Sequence, residues 1–130
     1  MCVDIMKSVH TDKAPKAIGP YSQAVIADNL VFCSGQIALN PATGELVAGG
    51  VREQTTQVFK NIKEVLKVSG VGFEAVASVA VYLRDMQDFK DMNEIYGGIF
   101  NTDPLPARIT VAVSGLPKNA LVEISCIAGK

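Results

Sequence analysis

An α+β fold, a mixed sheet with two helices on one face, follows from three features of the sequence. The apolar pattern changes period along the chain. Strand-like runs at 24–27, 30–33, 76–83, 105–113 and 121–128 are interrupted by two segments of helical period, at 51–69 and 89–100. The order strand, strand, helix, strand, helix, strand, strand, with a further edge strand expected within residues 1–16, gives six strands, and two helices suffice to cover one side of such a sheet. The 130 residues contain no internal repeat, linker or low-complexity tract, so residues 1–130 read as a single domain with a real core.

The elements follow in order. Ala17-Ile18-Gly19-Pro20-Tyr21-Ser22-Gln23 holds a stiff Gly-Pro bend that presents Tyr21 at a defined place. Ala24–Ala27 and Leu30–Cys33 flank Asp28-Asn29, two residues that tolerate positive φ and predict a two-residue hairpin. The second strand runs into Ser34-Gly35-Gln36-Ile37, where Gly35 marks a bulge or a close approach. Val51, Thr55, Val58, Ile62, Val65, Leu66 and Ser69 recur at helical spacing, with Arg52, Glu53, Gln57, Lys60, Lys63 and Lys67 opposite and Gly70 as the stop. Val76–Leu83 is apolar on both parities, as in a central strand covered on both sides. Asp85–Asp88 caps a second helix with Phe89, Met92, Tyr96, Ile99 and Phe100 as its stripe. Asn93 lies on or beside that stripe and needs a partner.

The last two runs carry the chemistry. Alternation separates Ile109, Val111 and Val113 from Arg108, Thr110 and Ala112, and Val122, Ile124, Cys126 and Ala128 from Glu123, Ser125 and Ile127. If the runs pair as a hairpin with apolar faces matched, Arg108 and Glu123 share the second face, the one without helices. Such a pair reads either as a solvated ion pair or as a recessed anion site. In the second reading Arg holds a carboxylate by two hydrogen bonds and Glu moves protons at the next atom.

Bulk properties narrow the function. Hydrophobic residues make up 48% of the chain and mean hydropathy is +0.26. No run is long enough to span a bilayer, so the apolar excess points to a buried interface between copies. A net charge of −1 and the absence of a basic run argue against a nucleic-acid partner. The N-terminal stretch lacks a signal-peptide core, which predicts a cytoplasmic location. Cys2, Cys33 and Cys126 form no metal spacing and no disulfide framework, with Cys33 and Cys126 expected as buried thiols. His10 is the only histidine, which excludes a His-based triad or a His-rich metal site.

From Ala17 to Ala128 the chain resembles the reactive intermediate deaminases, the RidA or YjgF-like group also described as endoribonuclease L-PSP-like. Its most specific segments are Pro106-Ala107-Arg108, Gly115-Leu116-Pro117-Lys118 and Leu121-Val122-Glu123-Ile124. Ile18–Ala24, Ser34–Ile37, Asn40–Glu45 and Asn93–Tyr96 also match. The resemblance implies a chorismate-mutase-like fold (bacillary type) and a homotrimer with clefts between subunits. It implies hydrolysis of 2-imino acids or their enamines, such as 2-iminobutanoate and 2-iminopropanoate, to 2-oxo acids and ammonia. No metal or other cofactor is implied. The carboxylate-binding Arg falls on Arg108, the Glu on Glu123, and cleft positions on Tyr21, Ser34, Gly35 and Asn93. Thr110 stands where deaminating members often carry Cys, and it keeps a hydrogen-bonding group there. The expected catalytic set is Arg108, Glu123 and Thr110. The alternative function is a non-catalytic binder or sensor of small 2-oxo acids.

Overall fold

The computed structural model describes residues 6–130; residues 1–5, and Cys2 among them, lie outside the described residues. Six strands form one mixed sheet: β1 Met6–Val9, β2 Ala24–Ala27, β3 Leu30–Gln36, β4 Val76–Leu83, β5 Ala107–Ala112 and β6 Val122–Gly129. Two helices, α1 Val51–Val68 and α2 Phe89–Ile99, pack on one side of it. The expected α+β class and the expected edge strand near the N-terminus are both present. Ala27 faces Leu30 across Asp28-Asn29, a two-residue hairpin in which only Asp28 takes positive φ. Gly70 adopts φ 89° just past α1, a left-handed stop that an L side chain would resist.

The strand order is β1-β2-β3-β6-β4-β5, and it corrects the expected pairing of the last two runs. β5 does not pair with β6. It lies at the far edge, parallel to β4, with Val79 opposite Arg108 and Val81 opposite Thr110. β6 lies between β3 and β4 and is antiparallel to both. The reason is connectivity. Each helix is a crossover, and a strand–helix–strand crossover returns parallel to its start. The loop from 113 to 121 imposes no such condition, so β6 can leave its sequence neighbour and fill the slot between β3 and β4.

Register then sets the faces. Bridge partners share a face, so Arg108 and Thr110 lie with buried Val79 and Val81 on the helix side. Glu123 pairs with Tyr82, on the other side. The expectation that Arg108, Thr110 and Glu123 share the uncovered face is therefore wrong for β5. Its polar side chains turn toward the helices, while Ile109 and Val111 stand 55% and 42% exposed on the open face. β4 is likewise covered on one face only within the chain, because Ala80 and Tyr82 point to the open side. The parity of β6 is as expected: Val122, Ile124, Cys126 and Ala128 are buried.

The core lies between sheet and helices. Phe59, Ile62 and Leu66 of α1 and Met92 of α2 are almost wholly buried over Val79, Val81, Leu83, Val122 and Ile124. Phe59, Phe73, Tyr96 and Phe100 form an aromatic cluster with centroids 4.7–6.0 Å apart, edge to face except for the tilted Tyr96–Phe100 pair. Cys33 and Cys126 face each other across β3 and β6 as free buried thiols, and hydrogen bonding with Cys126, together with burial, pushes the Cys33 thiol far up.

Gln23 is the buried polar residue that shapes the surface. Its Oε1 accepts from Thr11 N at 2.7 Å, and its Nε2 donates to Thr11 O at 3.1 Å and Pro15 O at 2.8 Å. These bonds fix the loop from 11 to 15 against the sheet. Gln23→Leu leaves those backbone groups unpaired and is expected to cost about 2–4 kcal/mol. Urea unfolding measures that loss, and hydrogen exchange is expected to show the amides of the loop losing protection.

Candidate active site

The residues singled out from sequence fall into two groups. Tyr21, Ser34, Gly35 and Glu123 line one cavity of about 530 Å³, together with Pro15, Lys16, Ile18, Ile37, Leu39 and Lys118. Arg108 and Asn93 do not border it. They meet elsewhere, under the helix side of β5, where Arg108 Nη1 donates to Asn93 Oδ1 at 2.6 Å.

The first group is built on a bulge. Cys33 faces Cys126 and Gln36 faces Ile124, so Ser34 and Gly35 together oppose Ser125. The extra residue bends β3 around Glu123. A Cβ placed on Gly35 would overlap the Glu123 carboxylate, so the missing side chain is the space that the carboxylate occupies. Both meanings anticipated for Gly35, bulge and close approach, hold at once. The Ser34 hydroxyl donates to Ser22 O at 2.6 Å, and Ser34 N donates to Gln23 O at 3.0 Å. That hydroxyl anchors the loop carrying Tyr21 and is already committed as a donor. Tyr21 is 52% exposed at the cavity rim rather than a core aromatic. Gly19, at φ 119°, makes the bend that puts it there.

Among the described residues the Glu123 carboxylate has no hydrogen-bond or ion-pair partner. Burial pushes its pKa above the ordinary glutamate range. Lys118, which lines the same cavity, sits in a left-handed turn with φ 54°, followed by Asn119 at 59°. Arg84 Nη1 holds this turn by bonds of 3.0 Å to Asn119 O and 2.5 Å to Asn119 Oδ1.

The second group is borne by α2 and β5. The Arg108 guanidinium lies over the Tyr96 ring at 4.6 Å and the Phe89 ring at 5.7 Å. Among the described residues it has no carboxylate partner and uses one N–H, so the rest of its planar fork is available. Thr110 Oγ1 lies two residues along the same strand face, buried and without a partner. Asn93, expected either as a packing amide or as a site-edge group, is bonded to the site arginine itself.

Reasoning from sequence missed Gln23, the lining role of Lys118, and the platform formed by Phe89 and Tyr96. The signal for the platform was present: Phe89, Asn93 and Tyr96 are spaced four and three apart on one helix face. The Lys118 turn is not built on glycine, and Pro117 and Asn119 mark a turn there without signalling that Lys118 lines the cavity.

The architecture defines a small α+β protein with a desolvated carboxyl in a cleft and an unpaired guanidinium on the opposite sheet face. The sequence profile of the family described as endoribonuclease L-PSP matches residues 11–130, and the chain belongs to that family. A RutC family protein of Pyrococcus horikoshii is 50% identical over 122 residues, covering 94% of this chain and 96% of that protein. The human protein named 2-iminobutanoate/2-iminopropanoate deaminase is 45% identical, covering 95% of this chain and 90% of its own. The crystal structure of E. coli TdcF with bound serine superposes with a TM-score of 0.88 at 37% identity, covering 95% and 98% of the two chains. Relatives named as imine deaminases thus lie within the same family and fold. No helix of the described residues is long and apolar enough to cross a membrane.

Because the Gly35 Cβ would meet only the far end of a flexible side chain, Gly35→Ala is expected to shift stability by less than about 1 kcal/mol while displacing the Glu123 carboxylate. Thermal unfolding checks the first part. A crystal structure of the variant, with Glu123 in a different rotamer, checks the second.

Proposed function

We propose that the protein hydrolyses 2-imino acids, such as 2-iminobutanoate and 2-iminopropanoate, to 2-oxo acids and ammonia, in clefts formed between copies of the chain. One observation carries the reading: the two charged groups suited to this reaction are each unpaired, on opposite faces of one sheet. A single chain cannot bring them together, and a second copy can. The open sheet face supports such a contact, since Leu30, Phe32, Ile109 and Val111 stand exposed on it. The names of the human and mouse relatives and the serine bound to TdcF support a small amino- or imino-acid ligand. A homotrimer with three such clefts fits the family resemblance.

In the proposed reaction Arg108 of one copy takes the substrate carboxylate in its planar fork. Glu123 of the next copy stands beside C2. Water adds to the C=N carbon as Glu123 accepts one of its protons, forming the C–O bond. Glu123 returns that proton to the nitrogen, the C–N bond of the carbinolamine breaks as its hydroxyl proton passes to Glu123, and ammonia leaves a 2-oxo acid. Thr110 contributes an unsatisfied hydroxyl near Arg108, and Tyr21 and Asn93 border the cleft. An iminium is already a strong electrophile, so the reaction as written takes only water as co-reactant, and the acceleration asked of the protein is mainly positional.

Arg108→Ala and Glu123→Gln are each expected to lower 2-iminobutanoate hydrolysis by about 100-fold or more. The imine is generated in situ by a dehydratase and 2-oxobutanoate formation is followed. Co-refolding the two variants in equal amounts is expected to restore about a quarter of the wild-type rate, since half of the copies supply each group. No recovery on mixing would place both groups in one subunit and end the two-chain reading. Retention of 2-oxobutanoate binding by Glu123→Gln without ammonia release separates the enzyme from a passive 2-oxo acid binder.

Glu123 also sets a pH dependence. Its folded pKa is raised, so the folded state holds the proton more tightly than the unfolded chain, and stability falls as pH rises through that interval. In an Arg108→Ala background, adding Glu123→Gln is expected to raise Tm at pH 7.5, with the gain vanishing toward pH 4. Thermal unfolding across that range measures it.

A further inference from the structure

We propose that Tyr96, assisted by Phe89, is a positioning residue that fixes the Arg108 guanidinium in the orientation that receives a carboxylate. The inference rests on the reading of Arg108 as the carboxylate clamp.

Arg108 projects from an edge strand and is exposed. An arginine so placed ordinarily samples many rotamers, and a ligand that captured it would have to order the whole side chain. Here three residues of α2 restrain it. Asn93 Oδ1 accepts from Nη1 at 2.6 Å, Tyr96 supports the guanidinium at 4.6 Å, and Phe89 adds a second ring at 5.7 Å. The Tyr96 platform is itself packed into the core. Its ring is packed against Phe59 at 5.9 Å and Phe100 at 4.7 Å, and the residue is only 8% exposed. Arg108 is thus ordered by contacts that leave most of its N–H groups unused.

The Tyr96 hydroxyl separates this role from a polar one. It is buried and has no hydrogen-bond partner, so the position uses the ring and not the phenol. A ring with a delocalised face attracts a guanidinium; an aliphatic chain of similar volume fills the core without doing so. Ring and hydroxyl therefore make opposite predictions at one residue.

The test is the Kd of 2-oxobutanoate, the expected product, measured by titration calorimetry on the full chain. Tyr96→Leu is expected to weaken binding roughly 5–10-fold, whereas Tyr96→Phe, which keeps the ring, retains the wild-type affinity. In an Arg108→Lys background, where the planar fork is gone, Tyr96→Leu is expected to have little further effect. Equal loss in both backgrounds, or a loss in Tyr96→Phe as large as in Tyr96→Leu, would make Tyr96 a structural residue only and overturn the proposal. Should Tyr96→Leu fail to fold, Phe89→Leu takes its place in the same cycle, with a smaller loss that again disappears in Arg108→Lys. Wild-type protein that binds no 2-oxobutanoate overturns the clamp reading itself. Wild-type binding without coupling between positions 96 and 108 overturns only the aromatic seat.

Discussion

The central position of β6 is the constraint from which the rest of the molecule follows. Two helical crossovers make β3, β4 and β5 run parallel, and β6 inserts antiparallel between the first two. Four of its alternate residues, Val122, Ile124, Cys126 and Ala128, then enter the core and are almost inaccessible. The residues between them are carried to the open face with no freedom of register, because a slip of one position would bury Glu123 and expose four apolar side chains. The Glu123 backbone is therefore held in register by the core beneath it, and the bulge at Ser34-Gly35 leaves the space its carboxylate occupies.

The same insertion sends β5 to the edge. An edge strand beside a helix offers its long side chains a wall rather than a ceiling, and Arg108 uses that wall by lying along the aromatic side of α2. The result is one group lodged in a cavity floor and another braced against a helix, on opposite faces. Neither has a counter-charge among the described residues. Leaving a half-buried carboxyl unpaired is unfavourable, and its raised pKa expresses that cost. Unpaired, partly desolvated charges of this kind concentrate at functional sites, which makes the two groups candidates for one.

The elements were legible from periodicity because each has a buried face of its own. The helical spacing of Val58, Ile62 and Val65, the doubly apolar Val76–Leu83 and the Asp28-Asn29 turn are local signals, and local signals suffice for them. Glycine at position 35 likewise announced a close approach without saying to what. The pairing of β5 was not legible in the same way. Alternation says which residues share a face within one strand, but not which side of the sheet that face meets. The apolar triplet Ile109, Val111, Val113 looked like the core side because apolar residues usually are. In this chain Ile109 and Val111 are the exposed ones. The strand–helix–strand order around α2 already required a parallel partner for β5, and that topological rule outranks a parity argument drawn across a long loop.

Exposure of that apolar strand face bears on the proposed joining of the two groups. Ile109 and Val111 alternate with Arg108 and Thr110, so whatever covers the former lies against the back of the edge strand that carries the latter. Phe32 and Glu123 lie on the same open face: Phe32 pairs with Ile127, four residues along β6 from the carboxylate. A second copy seated on this face would lie beside Glu123, and one that also wrapped the β5 edge would reach Arg108 on the helix side. Association through this face would exclude water from the cleft in the same step that completes it, strengthening the attraction between guanidinium and substrate carboxylate as the dielectric falls. Assembly and chemistry would then draw on one surface, and a substitution at Ile109 or Val111 that weakens the contact should reduce activity in proportion to the copies dissociated while leaving the fold of each intact.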